Sequence, residues 1–394
     1  MKLKRMFLLT SIFFLITILY FNQHINLELS SHKIVVNFSS CTNTFDISDG
    51  KWIFRNNLKT EDLNERTRLD EEIRLSMNWP KLLFRNDSRC GAQFPLYNYQ
   101  LLAQCNPNSN KPCCNQVSGV CGQGDEYCNC DNCTDFRSAI SAELGVWKPN
   151  ACYFNYQSYN DTCSLFLKKE ISMLFVGDSL IRQIYTVMLM ILTNNYFNGS
   201  IPSYASEKDK FMCTGEHQVT NKDCSVRVVA QNSAELPFHA LCNGANVTIK
   251  MIQDYNHKLA PEVYIAINKT ISQENNWIIA GVGLHYQLKF ENLKSVYLDP
   301  LWELLSSSLN AWPKLIWFDI HGIFGFLRMR TAAMNDEIVT FNKKIQQYWE
   351  HRNVTVVKTF NFSQNLRSYD GRHYGVGFNE LKAQLILHLL KDQL

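Results

Sequence analysis

No cysteine follows Cys242 in this 394-residue chain, no Asp-x-Asp occurs anywhere, and the charges nearly cancel at +3. Each absence removes a class. A balance so close to zero, with no basic stripe interleaved with aromatics, argues against a nucleic-acid partner. Without Asp-x-Asp there is no acidic pair of the kind that holds a metal-bound nucleotide sugar, which counts against a metal-dependent glycosyltransferase. Charged residues make up only 19% against 46% hydrophobic, so the chain can bury one large core and a smaller module. The 14 cysteines all lie between Cys41 and Cys242, and an even number so concentrated fits disulfides formed in an oxidising compartment.

The N-terminus offers a route to such a compartment. Lys2, Lys4 and Arg5 precede an apolar run over residues 6–21 that only Thr10, Ser11 and Thr17 interrupt. Since about 20 residues cross a bilayer, the run suits a signal-peptide core better than a full span. It ends in Tyr20-Phe21 and Asn22-Gln23-His24 with no small-x-small cleavage site, which favours an uncleaved signal anchor. The expectation is a single-pass type II membrane protein of the ER or Golgi, with residues 1–5 cytosolic, 6–21 in the membrane and the rest lumenal; a secreted form is the alternative. The N-x-S/T sequons at Asn37, Asn86, Asn132, Asn160, Asn198, Asn246, Asn268, Asn353 and Asn361 agree, as glycosylation acceptors. The last four residues, Lys391-Asp392-Gln393-Leu394, resemble the Lys-Asp-Glu-Leu retrieval signal with Gln for Glu, but read first as the end of a helix.

Residues 22–85 are polar, with a charged patch at 61–74 of poor hydrophobic spacing, and read as a stem with one surface helix. Cys41 inside it should pair downstream. Residues 86–135 form a cysteine-rich module holding Cys90, Cys105, Cys113, Cys114, Cys121, Cys128, Cys130 and Cys133, too small and polar to fold without covalent links. Its centre, PCCNQVSGVCGQGDEYC, resembles the hevein-type chitin-binding core, with Tyr127 in the sugar-stacking place. Val120 stands where that fold has a second ring, which removes much of the stacking surface. Zinc at Cys128, Cys130 and Cys133 is the weaker reading in an oxidising lumen.

The stretch ISMLFVGDSLIRQIYTVMLMILT, residues 171–193, organises the remainder. Residues 172–176 read as a buried strand, 177–179 as a tight turn, and 180–192 as a helix apolar enough to be core. Ser179 therefore sits at a strand-to-helix corner, where helix N–H groups point at whatever its hydroxyl attacks. Asp178 stabilises the turn and caps the helix. Near the other end, Tyr369-Asp370-Gly371-Arg372-His373 puts an acid and an imidazole three residues apart, ahead of a helix from about 378. His373 is the candidate general base for Ser179, and Asp370 the group that orients its ring.

Together the two motifs resemble the SGNH (GDSL-type) hydrolase superfamily, and FVGDSLIRQIY is similar to the GDSxxRQ block of its lumenal PC-esterase branch. That branch contains trichome-birefringence-like O-acetyltransferases, the sialate O-acetyltransferase lumenal domain, and the neurexophilin-and-PC-esterase proteins. The resemblance spans residues 165–394 and implies a nucleophile at Ser179, a base at His373, an orienting acid at Asp370 and a glycan substrate. It implies no metal or organic cofactor. An acyl donor, acetyl-CoA-derived through a membrane partner, is implied for the transferase form. Arg182 matches the arginine of the block, either neutralising developing charge or holding an acidic partner, against a plain helix-surface ion pair. Gln183 reads as completing the helix.

The expected fold is α/β, a three-layer α/β/α parallel sheet over residues 147–394. Strand-like runs at 246–252, 277–282, 315–320 and 354–359 follow the first, with crossover helices at 300–310, capped by Asp299, and 331–352. Another strand is expected at 225–230, and a bridge between Cys152 and Cys163. The SGNH fold carries an oxyanion-binding asparagine after the third strand. Here Gly281-Val282-Gly283-Leu284-His285 offers Gly283 and His285, as in the G-x-H form; the alternative for His285 is a buried, satisfied histidine. Gly177 belongs to the same candidate lining, and Gly199, Gly215 and Gly244 compete for the other oxyanion position. His321 reads as structural. The resulting expectation is acyl transfer through Ser179, as O-acetylation or de-O-acetylation of glycans, with a catalytically inactive lumenal glycan-binding protein as the alternative.

Overall fold

The computed structural model describes residues 40–41, 44–76, 88–89, 93–96, 99–102, 111, 113–115, 117–123, 133–134, 141–237, 240–255, 258–323, 327–328, 332–364 and 366–393. The expected anchor at 6–21, the sequons Asn37, Asn86 and Asn132, and most of the cysteine-rich segment lie outside them. No described helix is long and apolar enough to cross a membrane.

Five parallel strands form the central sheet: β3 (Ser172–Gly177), β4 (Thr248–Gln253), β5 (Asn276–Gly281), β6 (Lys314–Phe318) and β7 (Thr355–Val357), in the order β7-β6-β5-β3-β4. The alternation along the inner strands explains why both faces are covered. Met173, Phe175, Trp277, Ile279, Ile316 and Phe318 enter one apolar cluster, while Leu174, Val176, Ile278, Ala280, Leu315 and Trp317 enter the other. A parallel sheet buried on both sides needs this continuous apolar composition. On the first face lie α3 (Ser179–Leu192) and α7 (Val376–Gln393); the second is covered by α4 (Pro261–Asn268), α5 (Asp299–Ser306) and α6 (Ala332–Glu350).

Helix α3 is buried from Leu180 to Leu192. Its composition favours a helix, with Leu, Met, Arg and Gln and no Gly or Pro. The Asp178 side chain accepts from Leu180 N at 2.9 Å, a cap worth about 1 kcal/mol. The far end is closed by Asn194 in the left-handed region at φ 49°, with Asn194 N donating to Ile191 O and Asn195 N to Met190 O. That is a Schellman ending, which satisfies carbonyls the helix leaves open.

Several expectations change. From Ser40 the chain belongs to the same compact unit as the sheet, so the described part of the expected stem is not a spacer. Strand β1 (Gly50–Phe54) pairs antiparallel with β2 (Gly145–Pro149), and Trp52 donates its indole N–H to Phe362 O. Burying Ile47 and Trp52 against Trp147 offsets the polarity that makes this segment look like a linker. The charged patch is helix α1 (Thr60–Ser76), anchored by Arg66 and by the buried Ile73. Within the cysteine-rich region, the short strand Tyr99–Leu102 pairs with Leu327–Arg328, a segment that follows the sheet strand β6.

Cys152 does not pair with Cys163. Cys41 bridges to Cys152, Cys163 to Cys242 and Cys213 to Cys224. The helix α2 (Tyr159–Lys169) follows Cys152 in the chain, and its Cys163 reaches Cys242, ahead of β4. Residues 224–228 form a π-helical turn, not a strand. Asp299 does not cap α5 from outside: it lies within the helical run, accepting from Lys294 Nζ and from the Tyr348 hydroxyl.

Candidate active site

The C-terminal edge of β3 delivers Ser179. Gly177 pairs with Gly281 across β3 and β5, and a Cβ on Gly177 would lie 2.4 Å from Gly281 O and 2.6 Å from Ile181 Cγ1. Only glycine lets strand, neighbour and returning helix approach this closely. The role of Gly177 here is close packing beneath the serine.

Ser179, His373 and Asp370 meet in one hydrogen-bonded row. Ser179 Oγ lies 2.7 Å from His373 Nε2, and His373 Nδ1 lies 2.5 Å from Asp370 Oδ2. A carboxylate only accepts, so Nδ1 carries the proton and donates; Nε2 is then the acceptor for the serine hydroxyl. The other oxygen, Asp370 Oδ1, accepts from His373 N at 2.7 Å and Arg372 N at 2.9 Å, which closes the turn on itself. Burial alone would raise the Asp370 pKa, but His373 and these backbone donors hold it below the usual carboxylate value. Asp370 therefore stays ionised and fixes the ring tautomer that a general base needs.

At the helix start, Leu180 N is taken by the Asp178 side chain and Arg182 N by the Asp178 carbonyl. The first N–H groups of a helix have no acceptor within it, so the Ser179 N–H is left beside the hydroxyl as a donor for an oxyanion. Gly199, Gly215 and Gly244 supply no such donor: their N–H groups are bonded to Asn195 O, Phe197 O and Leu241 O. Gly283 packs closely instead, since a Cβ there would sit 2.5 Å from Ile320 Cδ1 and 2.8 Å from Phe341 Cε1.

Arg182 is neither a surface ion-pair partner nor the holder of an acid. It is buried, and its Nη1 donates to Gln253 Oε1 at 2.9 Å and to the Tyr255 hydroxyl. Its Nε is buried with no hydrogen-bond partner. His285 is exposed, not a buried satisfied histidine, and its ring stands edge-on to Tyr255 at 4.9 Å. Gln253, Tyr255, Arg182 and His285 thus form one polar wall beyond β4 and β5.

Sequence reasoning did not single out Gln253, the last residue of strand β4, and Tyr255 just after it, although this is where a parallel sheet lines its sites. It also missed Tyr369, whose ring stacks on His373 at 6.0 Å and 19°. Gln183 does more than complete the helix: its Nε2 donates to the Tyr369 hydroxyl at 2.6 Å. His321 is buried, and its Nε2 lies 2.7 Å from Arg372 O within the Asp370–His373 turn. Among the described residues no cluster of His, Cys, Asp or Glu has the arrangement of a metal site.

No protein-family model matches the chain, and no curated protein matches it. Among solved structures, a mutant of Axe2, an acetyl-xylooligosaccharide esterase from Geobacillus Stearmophilus, is similar with a TM-score of 0.30 and 18% identity, covering 56% of this chain and 94% of that one. A likeness of that size carries no argument, and the site stands on its own geometry.

Proposed function

We propose that this chain is a serine-dependent acyl-transfer enzyme that removes or moves O-acyl groups, acetyl first, on glycans. The observation that carries the chemistry is the row Ser179 Oγ, His373 Nε2 and Nδ1, Asp370 Oδ2 at 2.7 and 2.5 Å. His373 takes the Ser179 proton as Oγ attacks the ester carbonyl, and the oxyanion forms against the Ser179 N–H. Collapse breaks the ester bond, and the leaving alkoxide takes the proton from His373. A water or an acceptor hydroxyl, deprotonated by His373, then attacks the acyl-enzyme and releases Ser179.

The glycan substrate rests on the resemblance of GDSLIRQ and D-x-x-H to the PC-esterase branch. The polar wall of Arg182, Gln253, Tyr255 and His285 offers the donors and acceptors that a sugar's hydroxyls match. The setting we propose is lumenal, as a type II glycoprotein with residues 6–21 as anchor. The disulfides Cys41–Cys152, Cys163–Cys242 and Cys213–Cys224 and the exposed positions of Asn160, Asn198, Asn246, Asn268, Asn353 and Asn361 support it. An acetyl-CoA-derived donor delivered through a membrane partner belongs to the transferase form only.

The test is labelling of the purified chain by a serine-reactive fluorophosphonate, beside Ser179→Ala and His373→Ala. Labelling of the native protein alone supports the reading. A folded native protein that stays unlabelled moves the inactive glycan-binding alternative ahead.

A further inference from the structure

Beneath the Asp370–His373 turn lies a buried basic pair that the acyl-transfer steps do not use. Lys382, on α7, is 1% exposed, and its Nζ lies 3.1 Å from His321 Nδ1 and 3.2 Å from Asn379 Oδ1. His321 follows β6 and presents Nε2 to the Arg372 carbonyl at 2.7 Å. A carbonyl only accepts, so Nε2 must carry a proton for that contact to be a hydrogen bond. An ammonium only donates, so a charged Lys382 forces Nδ1 to be the acceptor and leaves the single ring proton on Nε2. Lys382 and the Arg372 carbonyl therefore ask for the same tautomer, and the ring links α7 to Arg372, one residue before His373.

We propose that Lys382 and His321 are a positioning pair that holds the 370–373 turn in register with Ser179 while Lys382 is charged, an inference that rests on the acyl-transfer reading. A neutral amine can still donate to Nδ1, but without the charge that strengthens that contact and polarises Nε2–H toward the Arg372 carbonyl. The groups facing the pair are Asp178 from the turn before α3, Asp319 from the end of β6, Asn379 from α7 and His373 from the turn itself. Burial lowers the Lys382 pKa to about 7, against the pull of Asp178 and Asp319. Burial and the Lys382 charge also keep His321 well below its ordinary 6.5, so the ring is neutral. The grip weakens as pH rises through the Lys382 value, giving acylation an alkaline fall that a Ser-His-Asp row alone does not have.

Two measurements on the full-length chain test this. With 15N-labelled histidine, and His321 assigned through His321→Gln, the native ring should be the Nε2–H form, and its 15N shifts should move as pH passes about 7. In Lys382→Met that movement should be absent. Fluorophosphonate labelling of Lys382→Met should be slower by about 10- to 100-fold, the scale of a misplaced catalytic group, and its pH profile should lack the alkaline fall. A packing role alone would lower the folded fraction and leave the profile's shape unchanged. A native His321 ring in the Nδ1–H form overturns the inference, as does an alkaline fall that is unaltered in Lys382→Met. A native chain that takes no label overturns the acyl-transfer reading, and the tautomer measurement still decides the pair.

Discussion

Two clusters of acids and bases share the segment 366–377, and they do opposite things. In the first, Asp370, His373 and Ser179 are half-buried, and the base is an imidazole between an acceptor and a hydroxyl. In the second, Arg66 is 7% exposed at its side chain, with Nη2 2.7 Å from Asp70 Oδ1 and Nη1 2.5 Å from Glu216 Oε1 and 3.7 Å from Glu143 Oε2. Arg367 adds a contact to Asp70 at 3.2 Å, and Glu143 accepts from Gly377 N at 3.0 Å, next to the start of α7. A guanidinium does not release its proton, so the Arg66 cluster can only hold segments together. The imidazole can take and return one while Asp370 keeps its charge, so the same kinds of group become a device for moving protons.

The largest way to sharpen that contrast is Asp370→Asn, which keeps the shape but lets His373 adopt the wrong tautomer. The rate of acylation by an activated ester should fall by about 10⁴-fold per folded molecule. Arg66→Met should do the reverse. Removing the cation leaves buried carboxylates uncompensated, a cost of about 3–5 kcal/mol in denaturant unfolding, with the labelling rate per folded molecule retained. An Arg66→Met protein as stable as the native one would break the comparison. Tyr369→Phe keeps the ring on His373 but leaves the buried Gln183 Nε2 without its acceptor, and should cost about 1–3 kcal/mol in stability.

The smallest effect concerns Glu216, which burial and then Glu143 raise from 4.5 to about 7 despite Arg66. Its folded pKa lies above the unfolded one, so the folded state holds the extra proton between those values. Its contribution to stability is greatest below about 4.5 and declines as pH rises to about 7. Glu216→Gln should flatten the melting temperature across that window; an unchanged slope would place the titration elsewhere. Asp370 acts with the opposite sign. Its lowered pKa adds stability above the ordinary 3.8, which is lost as pH falls through the folded value.

Much of this was legible because the information is local. The runs at 172–176, 277–282 and 315–320 are apolar apart from Ser172 and Asp319, as a twice-covered strand requires, and they appear as β3, β5 and β6 within two residues. The cap at Asp178 needs only its neighbour two residues on. What misled was also local: 225–230 reads as a β-rich run, yet the Cys213–Cys224 bridge and the backbone bond from Val229 N to Cys224 O wind it into a turn. Likewise 40–76 looks like a linker because its anchors are single residues, Ile47, Trp52 and Arg66, whose partners lie far along the chain.

The sequence by itself determined the parallel α/β class, the strand-to-helix corner at Ser179 and the Asp370–His373 spacing, because each depends on residues within one or two turns of one another. Only the tertiary structure decided that His373 reaches Ser179 across 194 positions, that Cys41 takes Cys152, that Arg182 turns inward to Gln253 and Tyr255, and that a buried lysine stands under the turn. These are choices among distant partners of equal chemistry. Such choices are settled by which segments the packed sheet brings side by side.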